Sequence, residues 1–137
     1  MKRMVGVLSF CILMGMMLSL ASGQAVVTGL IVDARDSSFN PTASPKILGV
    51  DGREVYGSAY LDKQWVEKHG VVGYSKSMED AKANPRVGEN PHIVKPIKVT
   101  GPNNKDLVIS DEDARKIREL AKNLNFLDQA KVMIIVP

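Results

Sequence analysis

Asp33 and Asp36 stand three residues apart with Arg35 between them, in the run Asp33-Ala34-Arg35-Asp36. Two carboxylates at that spacing beside a guanidinium point to binding of a cation or a polar ligand. With a divalent metal, the same pair points to a hydrolase. The plainer arrangement, and the one expected here, is an ion pair at a strand end followed by an Asx-type turn. His69 and His92 are the only histidines and lie far apart in the chain, so no zinc-ligand spacing is present. No G-x-S-x-G run occurs, and Ser77 and Ser110 are placed to cap helices rather than to act as nucleophiles. The glycines follow neither the Walker nor the dinucleotide pattern. The residues therefore predict a protein that is not an enzyme, with no catalytic, metal or cofactor site.

Two sets of side chains suit binding instead. Tyr56, Tyr60, Trp65 and Tyr74 fall within 19 residues. Exposed, they form a face for stacking on sugars or docking a partner, and with Asp33 they are the candidate ligand-binding residues. Buried, they form a satellite core in which Trp65 pins a short helix against a hairpin, and this is the expected arrangement. Arg35, Lys46, Arg53 and Arg86 are the loop cations placed to meet an anionic partner; ordinary solvation is the expected arrangement.

Those residues are set by the elements around them. Residues 26–34 (VVTGLIVDA) are rich in β-branched side chains and predict a strand buried on both faces. Residues 46–48 and 54–56 flank Asp51-Gly52, a dipeptide able to take positive φ at both centres of a hairpin turn. A short helix is expected over residues 62–69, ended by Gly70, and a strand over 71–74. Ser77 and Asp80 have capping-box spacing for a helix of two turns at most. Residues 92–99 predict one extended segment, with Pro96 forcing an edge position or a bulge. Residues 107–109 follow as a strand. Ser110 then opens the main helix, near residues 111–124, with three acidic residues in its first turn and an apolar stripe of Ala114, Ile117, Leu120, Ala121 and Leu124. Residues 132–136 (VMIIV) predict a last buried strand. The expected fold is α+β: one small domain with a mixed sheet, a hairpin and the main helix packed on one face, reached by a strand–helix–strand crossover.

The first 23 residues have the marks of a secretory leader. Met1-Lys2-Arg3 is basic, residues 5–20 are almost wholly apolar, and Ala21-Ser22-Gly23 offers small residues for cleavage before Gln24, with a cut after Ala25 as the near alternative. Cys11, the only cysteine, sits inside the apolar run, too early for a lipoprotein signal. After cleavage one domain of residues 24–137 remains, without disulfides and dependent on its core. It carries 16 basic and 15 acidic residues, a net charge of +1. That balance excludes a field able to hold nucleic acid or an anionic membrane surface. No later apolar run is long enough to span a bilayer. The expected location is periplasmic or secreted, peripheral to the outer membrane.

The stretches TGLIVDAR, SPKILGVDGREVYG, VVGYSKS, NPRVGENPHIVKPI and DLVISDEDARKI together resemble the C-terminal part of bacterial small outer-membrane lipoproteins and flagellar-assembly-associated proteins. The resemblance runs over residues 26–136 and carries no established catalytic residue. It departs at Asp36, where glycine is expected, and in the missing lipobox. What it implies is a non-enzymatic envelope protein acting through protein–protein contacts, in outer-membrane or flagellar assembly, with envelope proteins as partners. The alternative is a periplasmic module that binds a glycan or a small polar molecule. Burial of the aromatics separates the two.

Overall fold

Gly29, Leu30, Ile31, Val32 and Asp33 are all buried, as a run of β-branched and aliphatic residues without polar alternation requires. They form strand β1 (Gly29–Asp33) of a computed structural model that describes residues 25–137. The expected leader and Cys11 lie outside the described residues. Ten further elements follow: β2 (Ile47–Leu48), β3 (Glu54–Tyr56), α1 (Lys63–His69), β4 (Gly73–Ser75), α2 (Met78–Ala83), β5 (Pro91–Val94), β6 (Lys98–Thr100), β7 (Asp106–Val108), α3 (Asp111–Asn123) and β8 (Val132–Ile135). Short 3-10 turns at Ser58–Tyr60, Pro85–Val87 and Pro102–Asn104 join them.

The α+β class holds, but the strands divide into two sheets rather than one. The first, in order β4-β8-β1-β5, is parallel throughout; the second, β3-β2-β7-β6, is mixed. Alternation along β1 and β8 separates the two faces of the parallel sheet. Leu30, Val32, Val94, Val132 and Ile134 enter the main core with Ile47 and Leu107 of the second sheet and Ala114 and Ile117 of α3. Ile31, Met133 and Ile135 form a smaller core with Ala81 of α2 and Val87 of the 3-10 turn. Gly29 makes that cover possible. A Cβ there would lie 2.6 Å from the Val87 carbonyl oxygen and 2.7 Å from its Cα.

Three local expectations change. The crossover β7–α3–β8 leaves one sheet and enters the other, because β7 pairs with β2 and β6 while β8 pairs with β1 and β4. The extended segment around Pro96 is likewise two strands in two sheets. Pro96, which has no N–H, marks the passage between them, and both β5 and β6 are edge strands, the position expected beside it. At the hairpin only Gly52 has positive φ (79°). Its N–H donates to Gly49 and the Gly49 N–H to Arg53, so the loop has three residues, and the two-residue turn is not formed.

The caps follow the sequence closely. Ser110 Oγ accepts from the Asp113 N–H at 3.0 Å, Ser77 Oγ from Asp80 at 3.1 Å, and Asp62 from Gln64 at 3.2 Å.

Candidate functional site

Because β1 and β5 are parallel neighbours, their carboxyl ends open on the same rim of the sheet, where open α/β sheets commonly bind ligands. Asp33 is the last residue of β1 and only 5% exposed. Both of its carboxylate oxygens are held by Arg35: Oδ1 accepts from Nε at 2.8 Å and Oδ2 from a terminal nitrogen at 2.8 Å, while the Arg35 backbone N–H approaches Oδ1 at 3.3 Å. That hydrogen bonding holds the carboxyl below the usual carboxylate range, against the opposing effect of burial, and raises the guanidinium in turn. The strand-end ion pair expected from the sequence is therefore what forms.

A cleft of about 380 Å³ lies over this rim, lined by Asp33, Asp36, Ser37 and Ser38 on one side and residues 95–99 on the other. Ser37 Oγ donates to the Ala34 carbonyl at 2.7 Å and accepts from the Phe39 N–H, which fixes the turn. Across the mouth, Lys95 Nζ and Asp36 Oδ2 are 3.6 Å apart and both well exposed. Asp33 and Asp36 do not present a pair of free carboxylates to a metal, since both oxygens of Asp33 already accept from Arg35. Among the described residues no cluster of three metal-ligating side chains occurs. The cleft can hold a polar or charged group between Lys95, Lys98 and Asp36 and an apolar group against Pro96, Ile97 and Val99. The second wall was not singled out from the sequence, although Pro96 marks the point where the chain leaves the sheet.

The other candidates disperse. Arg53 lies exposed at the hairpin tip, its N–H donating to Asp51 Oδ1. The Lys46 side chain is exposed at the start of β2, with its backbone N–H donating to the buried Asp106. Arg86 is not a loop cation free for a partner. Its Nε donates to the Ala130 carbonyl and its two terminal nitrogens to His69 and Gly70, each at 2.7 Å. Two of those carbonyls close the C-terminal turn of α1, where the helix dipole favours a cation. The third belongs to Ala130, held in the left-handed region at φ 55°. Nothing in the spacing of residues 84–91 separates such a clamp from a solvated arginine.

Tyr56, Trp65 and Tyr74 form neither a shared face nor the expected satellite core. Tyr56 is buried, and its hydroxyl donates to the Val71 carbonyl. Tyr74 packs beside Phe39 and exchanges hydrogen bonds with the backbone of Thr42. Tyr60 ends a 3-10 turn. Trp65 is 40% exposed, on a helix with no buried residue, and tilts against His69 with ring centres 4.2 Å apart. It does not pin α1 to the hairpin; Val66 makes the helix's contact with the core.

Two four-stranded sheets, one parallel and one mixed, with α3 bridging them and a polar cleft at one rim, define a small α+β domain. Residues 29–137 match the family model described as Treponema pallidum Tp0624, second domain, and the chain belongs to that family. The match begins at the first residue of β1 and takes in both sheets. No curated protein matches the chain significantly.

Proposed function

We propose that this domain is a non-enzymatic binding module of a periplasmic or secreted envelope protein, acting through protein–protein contacts in outer-membrane or flagellar assembly. The observation that carries the reading is the apolar surface at the β5 edge. β5 has a strand on one side only, Ile93 on it is 39% exposed, and Ile97 just beyond it is 56% exposed. Ile97 lines the rim cleft together with charged Lys95, Lys98 and Asp36, a mixture of apolar and charged groups of the kind that protein interfaces use. The locked Asp33 supports the same reading, because it leaves the rim without a free buried acid. The envelope setting rests on the leader-like first 23 residues and on the stretches that resemble outer-membrane and flagellar-assembly proteins.

Affinity capture from envelope fractions tests it, using the exported protein and its Ile97→Asp variant. The wild type recovers a defined partner, and the variant, with an unchanged melting temperature, loses it. Wild-type protein that stays a free monomer and captures nothing overturns the proposal.

A further inference from the structure

The opposite rim of the parallel sheet holds a second pocket. Lys131 immediately precedes β8, His69 precedes β4, and Arg86 precedes β5, so all three lie toward the amino ends of parallel strands. Lys131, His69 and Arg86, with Trp65 and Gln129, line a cavity of about 310 Å³, at the small end of the range for small-molecule sites. We propose that this pocket binds an acidic sugar, a pyranose ring bearing a carboxylate, at Trp65, Arg86, Gln129 and Lys131.

Charge sets the sign of the ligand. Arg86 and Lys131 line the cavity and no carboxylate does. Arg86 is half-buried and forms no ion pair among the described residues; its hydrogen bonds go to neutral carbonyls and use three of its five N–H donors. A desolvated cation balanced only by dipoles attracts an anion more strongly than a solvated one. Shape sets the rest. Trp65 is not among the core residues, and it packs against His69 at the cavity wall. Its exposed indole is a flat apolar platform of the kind that receives the C–H face of a sugar ring. Gln129 supplies an amide able both to donate to and to accept from ring hydroxyls. A cationic wall, a flat apolar floor and an amide together fit a hydroxylated ring with one carboxylate better than a bare anion or a neutral sugar.

Trp65 is the only tryptophan in the chain, so its fluorescence reports on this pocket directly. The exported protein is titrated with D-glucuronic acid, D-glucose and inorganic phosphate. Glucuronic acid gives a saturable change that weakens with added salt, and glucose gives none. Phosphate does not displace the sugar at equal concentration. Lys131→Gln weakens binding about tenfold through loss of a charge-assisted hydrogen bond. Gln129→Leu, at an exposed position, weakens it severalfold and serves if the lysine variant does not fold. Ile97→Asp, on the other rim, leaves it unchanged, which separates this site from the docking surface proposed above. No saturable response to glucuronic acid, an equal response to glucose, or displacement by phosphate overturns the assignment. So does undiminished binding in a folded Lys131→Gln or Gln129→Leu protein.

Discussion

The hydroxyl of Tyr56, at the end of β3, donates to the carbonyl of Val71, just ahead of β4, and so ties the mixed sheet to the parallel one. Tyr56→Phe keeps the ring and strands that carbonyl in the core, at a cost of about 1–2 kcal/mol in urea melts. Burial also raises the Tyr56 hydroxyl well above its ordinary value near 10. Above that value the unfolded chain releases the proton and the folded chain keeps it, so stability falls as the solution becomes more alkaline. Tyr56→Phe flattens that alkaline slope. A variant with the wild-type slope shows that another group sets it.

Asp33 gives the opposite limb. Its carboxyl is depressed chiefly by hydrogen bonding from Arg35, so its contribution is complete above the ordinary carboxylate range and is lost as pH falls through its lowered value. Arg35→Gln removes the guanidinium and leaves the burial. The Asp33 titration, followed by carboxyl-resolved NMR, moves upward, and the share of the acid-induced stability loss that this carboxyl supplies shrinks. An Asp33 that titrates unchanged in the variant shows that Arg35 does not hold it.

Arg86→Gln withdraws three hydrogen bonds from the carbonyls of His69, Gly70 and Ala130. Partial exposure of the guanidinium limits the cost to about 2–3 kcal/mol. Hydrogen exchange in the variant accelerates first at the end of α1 and around Ala130. Uniform acceleration over the whole chain shows that Arg86 supports the fold globally rather than these two segments.

Gly29→Ala places a methyl group against the backbone of Val87, which has no rotamer with which to yield. The expected loss is about 3 kcal/mol or more, near the upper end for overpacking. A variant as stable as the wild type shows that the Pro85–Val87 turn rides on β1 more loosely than the close approach requires.

For α3, Ser110→Ala costs about 1 kcal/mol through the lost cap, and Ile117→Ala about 2–4 kcal/mol through a cavity between the sheets. Equal effects of the two in denaturant melts place Ile117 outside the core.

These contrasts show which parts of the molecule are written locally. The Ser110 cap, the Asp33–Arg35 pair and the doubly buried β1 depend on residues within a few positions of one another, so their spacing alone reveals them. Sheet membership does not work that way. Residues 132–136 have the same apolar character whether they pair with β7 or with β1, and only packing across the whole domain selects β1 and β4. Arg86 and Trp65 are illegible for the same reason. The three carbonyls that hold the arginine lie 16 to 44 positions away, and the exposure of the indole depends on how little of α1 reaches the core.

The pairing of β1 with β8 joins the first strand of the domain to its last. The parallel sheet is complete only once residues 132–135 have paired with both β1 and β4, so its closure is a long-range event. Until then β1 has only β5 as a sheet neighbour, and its other edge is open. Loop closure over such a span is slow relative to helix formation. The rate at which this domain folds is therefore set by the meeting of its two most distant strands more than by its helices.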